Sequence, residues 1–194
     1  MHTPLIETER LRLRRFTTDD IEMLYLLLKD EEVNTFLPWF PVKTLDEAGM
    51  FFEKHFASNY TKAQGYNYGI CQKGDNVPIG YINVSMDSSY DFGYALRREF
   101  WGKGIMTEAG KAVINQIKQD GLPYITATHD VRNLQSGNVM KRLGMRYCYS
   151  YMEQWLPKDI PVIFRMYQLN LNGNPDYVYQ RYWDMSEKHF VELL

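Results

Sequence analysis

The sequence predicts one mixed α/β domain with a largely antiparallel central sheet of about seven strands, flanked by helices and followed by an aromatic-rich extension. Three observations lead there. The length of 194 residues slightly exceeds one average domain. Hydrophobic residues make up 45% and charged residues 24%, an ordinary globular mix that excludes disordered and fibrous classes. Apolar periodicity alternates along the chain in the order strand, two helices, three strands, helix, strand, helix, two strands. Residues 1–171 are assigned to the domain and 172–194 to the extension.

Leu11-Arg12-Leu13-Arg14 alternates apolar and basic residues, the pattern of a half-buried strand, with Arg10, Arg12 and Arg14 expected as a solvated stripe. Thr17 is placed as a helix N-cap, with Asp19 and Asp20 in the first turn and Phe16 and Ile21 at the spacing of a hydrophobic staple. Pro38-Trp39-Phe40-Pro41 breaks the helical pattern. A second amphipathic helix is expected from Leu45 to about Tyr60. Strands are then expected over Tyr66 to Gln72, Pro78 to Met86 and Tyr90 to Leu96, the first two joined by the hairpin signal Lys73-Gly74-Asp75-Asn76. A helix with Ile105, Ala109, Ala112, Val113 and Ile117 on one face follows Gly102-Lys103-Gly104. A strand at Tyr124 to Thr128, a helix at Leu134 to Leu143 closed by Gly144, and strands around Arg146 to Gln154 and Val162 to Leu171 complete the domain. The extension carries Tyr177, Tyr179, Tyr182, Trp183 and Phe190, and is expected to pack as an added helix or against a partner chain, a homodimer being one such arrangement.

Charge and composition narrow the function. A net charge of −2 lacks the basic surplus of nucleic-acid binders. Two cysteines, Cys71 and Cys148, suit a reducing compartment, and Met1 to Leu5 lacks the features of a signal peptide. No run of about eighteen apolar residues predicts a membrane span, so the cytoplasm is the expected location. His2, His55, His129 and His189 show no metal-ligand spacing, and no metal is expected.

The most informative segment runs from Asp91 to Ala109. A strand enters a loop whose glycines open an apolar-faced helix. The first turn of such a helix presents unpaired N–H groups that suit a phosphate, and Lys103 can add a full charge. The spacing fits neither the Walker loop nor the dinucleotide fingerprint. The run Gly93-Tyr94 to Phe100-Trp101-Gly102-Lys103-Gly104-Ile105-Met106-Thr107-Glu108-Ala109 resembles the acetyl-CoA motif of the GNAT acetyltransferase superfamily. Glu9-Arg10-Leu11-Arg12-Leu13-Arg14 with Asp19-Asp20, and Asn133 to Met145, are similar to the opening and later cofactor segments of its RimJ/RimL branch of ribosomal-protein N-terminal acetyltransferases. Together the resemblance covers roughly residues 5 to 171.

What the resemblance implies is specific. Backbone groups of Gly102, Lys103, Gly104, Ile105 and Met106 would hold the pyrophosphate of acetyl-CoA, with Trp101 at the position before that loop and Met106 where Gly or Ala is usual. Pantetheine would run beside Tyr94, Ala95 and Leu96, and Asn133 and Ser136 would contact it. Asn133 also suits a helix cap. Ser136 is a candidate proton donor to the leaving thiolate, and Asp91 the candidate general base, with a turn residue as its plainer reading. Glu108 is read as serving the positive helix end. Tyr147, Tyr149 and Tyr151 are expected on one sheet face, and Trp39 and Phe40 fall where the resemblance places the acceptor pocket. The expected reaction is direct acetyl transfer to a primary amine, either a protein N-terminus or a small molecule. An acyl-CoA sensor without turnover is the alternative, and an empty scaffold the third reading. An α-amine is roughly a quarter neutral near neutral pH, against about a thousandth for lysine, so only the former makes do with a mild base.

Overall fold

The structure, a computed structural model, describes residues 3–193; Met1, with His2, and Leu194 lie outside the described residues. Among the described residues, nine strands form two sheets. The first holds β1 (Ile6–Glu7), β2 (Leu11–Arg14), β3 (Tyr66–Gln72), β4 (Pro78–Val84) and β5 (Phe92–Leu96), in that spatial order and antiparallel throughout. The second holds β6 (Tyr124–Asp130), β7 (Arg146–Trp155), β8 (Ile160–Asn170) and β9 (His189–Phe190), ordered β6-β8-β7-β9. The helices are α1 (Ile21–Leu28), α2 (Glu31–Asn34), α3 (Leu45–Phe52), α4 (Ser58–Tyr60), α5 (Ile105–Gln119), α6 (Leu134–Arg142) and α7 (Arg181–Met185). A π-helical turn, Glu53–Ala57, joins α3 to α4, so the single helix expected from Leu45 is continuous but locally widened.

Period-two patterning gives the first sheet two apolar faces. Leu11, Leu13, Tyr68, Ile70, Ile82, Phe92 and Leu96 face the main core beneath α5, which contributes Ile105, Met106, Ala109, Val113 and Ile117. The other face, with Tyr81 and Ala95, is covered by Leu24, Leu27, Leu28, Phe52 and Phe56 of the α1–α4 layer. Phe16 and Ile21 meet in this second cluster, as a staple requires. Thr17 starts its helix through a short 3₁₀ turn, where the Asp20 carboxylate reaches back to accept the Thr17 N–H at 2.8 Å.

Several expectations need correction. Of the arginines at β2, Arg10 and Arg12 are solvated as expected, but all three are ion-paired and Arg14 is largely buried. Arg10 pairs with Glu108, Arg12 with Glu7, and Arg14 makes a bidentate pair with Asp20 at 2.7 and 2.9 Å. Asp20 is buried; burial alone would raise its pKa, but the hydrogen bonds from Arg14 and Thr17 outweigh that and hold it below the usual range. Tyr147, Tyr149 and Tyr151 do not share a face. Tyr147 lies opposite Tyr167 and Tyr149 opposite Met166, leaving Cys148 as an extra residue in a bulge. Tyr147 therefore packs on the main core, while Tyr149 and Tyr151 join a third cluster with Val162, Phe164, Met166 and Tyr179. Glu108 does more than serve a helix end: it accepts from the Thr8 hydroxyl (2.6 Å), the Arg10 N–H (3.0 Å) and the Arg10 guanidinium (2.6 Å), tying α5 to the β1–β2 turn.

The aromatic extension folds back on the second sheet. Trp183 meets Tyr149 edge-on at 5.5 Å, and Tyr182 lies nearly parallel to Tyr151 at 5.1 Å. β9 pairs with β7, and the Glu192 carboxylate takes hydrogen bonds from Arg165 and Ser150.

Candidate active site

β5 and β6 run side by side at one end only. A single parallel bridge joins Asp91 to Thr126, after which the strands part. β5 remains paired with β4 on its other edge. Ser85 donates to the Asp91 carbonyl and Arg97 to the Ile79 carbonyl, so the odd-numbered residues of β5 bond to β4. Tyr94 and Leu96 thus turn their backbone groups to the open side, where an extended ligand could add as a strand. The Leu96 carbonyl is taken by the Trp101 indole N–H at 2.7 Å, and Ala95, bonded to β4, offers the cleft its surface rather than its backbone groups.

The parted strands open a cleft of about 980 Å³ between the segment from Glu32 to Leu37, the start of α5 and the start of α6. Tyr94, Ala95, Leu96, Trp101, Gly102, Gly104, Ile105, Met106, Asn133 and Ser136 all line it. A shallower recess of about 570 Å³ continues past Gly102 and Gly104 to Thr107, Lys111 and Arg142.

The glycine turn explains the floor. Gly102 and Gly104 take φ of 73° and 72°, a left-handed conformation in which a side chain is strained. Gly104 is the N-cap of α5 and supplies no side-chain cap, so the first N–H groups of a fifteen-residue helix face the cleft at its positive end. Met106, at the position where Gly or Ala is usual, turns its side chain into the core and is only 6% exposed. Lys103 is absent from the residues lining either cavity; its ammonium lies over the Phe100 ring at 5.5 Å, and its carbonyl accepts from Arg10. The cations at the cleft are instead Lys111, Arg132 and Arg142. Lys111 lies two turns beyond Gly104 on the same helix face, a spacing from which it could have been found.

Asn133 caps α6 by accepting the Ser136 N–H at 3.2 Å. The Tyr94 hydroxyl donates to the Ser136 carbonyl at 3.0 Å and lies 2.8 Å from the Ser136 hydroxyl, linking the two parted walls. Burial raises the Tyr94 phenol above the ordinary tyrosine range, so it stays protonated and able to donate. Sequence reasoning placed Tyr94 only by its backbone; this side-chain link joins residues 42 apart, and no local pattern carries it.

Asp91 sits at the closed end of the splay, outside the cleft lining. Its N–H donates to the Ser89 hydroxyl, and its Oδ1 is buried without a hydrogen-bond partner. Burial, with smaller contributions from Asp87 and Glu153, raises the carboxyl to about 7. Trp39 and Phe40, expected on the acceptor side, line neither cavity: Trp39 packs on Phe51 (4.9 Å) and His55 (5.5 Å) and donates to Asn34, and Phe40 is 60% exposed. The segment from Glu32 to Leu37 forms that side of the cleft, tied down by Arg98 to Glu32 and by Lys158 to the Asn34 and Thr35 carbonyls.

Among the described residues no helix is long and apolar enough to cross a membrane, and no group of His, Cys, Asp and Glu could hold a metal ion.

Residues 10–146 match the family model described as an acetyltransferase (GNAT) domain. The chain is 27% identical over 157 residues to an uncharacterized N-acetyltransferase, YnaD, of Bacillus subtilis, covering 79% of this chain and 88% of the relative. Among solved structures, a GNAT-family acetyltransferase from Bacillus anthracis superposes with a TM-score of 0.73 at 23% identity, over 86% of this chain and 98% of that one. RimL, the ribosomal L7/L12 α-N-protein acetyltransferase in complex with coenzyme A, gives 0.76 at 20% identity over 88% and 100%. The parted strands, the uncapped helix behind two left-handed glycines and a family match spanning most of the chain lead to one conclusion: this protein belongs to the GNAT family of acetyltransferases.

Proposed function

We propose that this protein transfers the acetyl group of acetyl-CoA directly to a primary amine of α-amine type, such as a protein N-terminus. The observation that carries the reading is the amide-lined start of α5 behind Gly102 and Gly104, at the mouth of the splayed strands. The cradle fits a diphosphate: the N–H groups from Gly102 to Met106 would hold it, with Lys111 and Arg142 beside it for further phosphate charge. Tyr94 and Leu96 would pair with the pantetheine amides, and Asn133 and Ser136 would meet them from α6. Acetyl-CoA, when bound, supplies an activated thioester.

The remaining work belongs to the chain's own side chains. Asp91, outside the cleft lining, would take the acceptor proton through water. A carboxyl near 7 is matched to an α-ammonium of about 7.7–8.0, and poorly matched to a lysine or polyamine nitrogen near 10.4. The Ser136 and Tyr94 hydroxyls, 2.8 Å apart, can return a proton to the leaving sulfur. The structural likeness to RimL, whose name states an α-N-protein substrate, supports the same acceptor class. Mass spectrometry of N-terminal peptides, amino acids and polyamines after incubation with acetyl-CoA tests it. Acetylation at α-amines is expected, and acetyl-CoA binding without acceptor-dependent thiol release would instead favour a sensor.

A further inference from the structure

The larger cleft carries one cation that the chemistry proposed above does not use. Arg132 sits in the turn between β6 and α6, one residue before Asn133, with a side chain 64% exposed. It is nevertheless held in place. Asp130, whose own side chain is only 2% exposed, accepts the Arg132 N–H at 2.8 Å, Nε at 3.0 Å and Nη2 at 2.6 Å. The Asn133 N–H closes the same turn on the Asp130 carbonyl (2.8 Å), and the Val131 N–H anchors it to the Ile163 carbonyl (2.9 Å). One edge of the guanidinium is thus occupied by a buried carboxylate, and among the described residues Nη1 makes no hydrogen bond. Toward the facing wall, its Cζ lies 6.0 Å from the centroid of the Phe36 ring. Val33 and Leu37 pack on the second core cluster, whereas Phe36 joins none of the three clusters and lines the cleft.

We infer that Arg132 sets acceptor specificity: its Nη1 donates to a carbonyl oxygen attached to the amine-bearing carbon of the acceptor, beside the face of Phe36. The inference rests on the α-amine reading above and names the group next to that amine. Position argues against a phosphate role. The recess beyond Gly102 and Gly104 is lined by Lys111 and Arg142 and not by Arg132, which instead meets the segment from Glu32 to Leu37. Charge selects the partner. Arg132 already has Asp130 and Glu32 already has Arg98, so this end of the cleft offers a directed N–H donor without surplus positive charge. Such a donor suits a neutral amide carbonyl, as in a peptide chain, better than the carboxylate of a free amino acid. The fork matters as well. A planar guanidinium can hold a carboxylate on one edge and a carbonyl on another, an arrangement that a lysine ammonium does not reproduce. An amine with no carbonyl beside it leaves this donor idle and gains nothing from it.

The test compares two acceptors in the full-length protein at saturating acetyl-CoA: alanine amide, and β,β-difluoroethylamine, an amine of comparable basicity with no carbonyl. Arg132→Gln should raise KM for alanine amide about tenfold with kcat little changed, and should leave kcat/KM for difluoroethylamine within about twofold of wild type. Arg132→Lys keeps a cation on the buried Asp130 and should lose the same discrimination, because an ammonium held there has no second edge for the acceptor. It reads the result if the glutamine variant does not fold. A merely structural role would weaken both acceptors together. Equal losses for the two, or no loss for either, would overturn the inference. Free alanine, added as a competitor, should bind the wild type more weakly than alanine amide; the reverse order would make the partner a carboxylate and overturn the carbonyl assignment. The two readings fail differently. Turnover of polyamines but of no α-amine by the wild type would sink the acceptor class itself and this inference with it. Turnover of α-amines with equal losses in the Arg132 variants would leave that class standing and remove only Arg132.

Discussion

Replacing Asp91 by Asn should stabilise this protein at neutral and alkaline pH while removing the proposed base. The side chains are nearly isosteric, so the change isolates the charge. In the fold the carboxyl is raised from the ordinary 3.8 to about 7, mainly by burial. Each tenfold change in proton affinity corresponds to about 1.4 kcal/mol, so an ionised Asp91 disfavours the folded state by roughly 4 kcal/mol at most. The sign follows from linkage. A carboxyl raised on folding contributes stability that is fully present below the unfolded value of 3.8 and is lost as pH rises through about 7. Wild type and Asp91→Asn should therefore be close in stability at pH 4, and the variant should exceed the wild type by about 2 to 4 kcal/mol at pH 8. Urea unfolding followed by circular dichroism at both pH values measures this, with matched slopes showing that only stability has changed. Equal differences at pH 4 and pH 8 would refute the argument, because a carboxyl that ionises freely in the fold carries no such penalty. Turnover should fall in the same variant, an instance of function retained at the expense of stability.

Three further outcomes are expected. Gly104→Glu places a side chain at φ 72° and a negative charge on the phosphate cradle; it should abolish acetyl-CoA binding by calorimetry, and unchanged affinity would displace the cofactor from the start of α5. Asp20→Ala leaves the half-buried Arg14 guanidinium unpaired and should cost about 3 kcal/mol at pH 7 in urea unfolding. Because the folded Asp20 carboxyl titrates below 3.8, the wild type should give up this advantage only as the pH falls below about 4. Tyr94→Phe and Ser136→Ala each break the hydroxyl pair across the cleft; a double-mutant cycle on kcat should show coupling, whereas strictly additive losses would mean that the two hydroxyls act independently.

The sequence made visible what local physics determines. Alternation located β2, turn residues marked off β3, β8 was placed to within two residues, and the paired glycines announced the turn that opens α5. β1 and β9 have two residues each and α2 has four, too few for any period to register. The Cys148 bulge broke an alternation argument that was sound for a regular strand, and so moved Tyr147 to the opposite side. Arg14 with Asp20 and Tyr94 with Ser136 share one property: each joins elements whose meeting is decided by the whole fold. The glycine loop was legible because its backbone is the proposed cradle. Lys103 drew attention only by lying inside the motif, whereas Lys111 and Arg142 reach the same recess from α5 and α6.

The docking of β9 on β7 has a consequence for biosynthesis. Glu192, which fastens that strand through Arg165, is made 42 residues after Ser150. During that interval a nascent chain carries a ten-residue strand with one bare edge and a row of tyrosines awaiting their cover. Such an edge is a template for pairing with a neighbouring polypeptide, so deletion of residues 186–193 should convert a well-behaved molecule into one that clumps on expression.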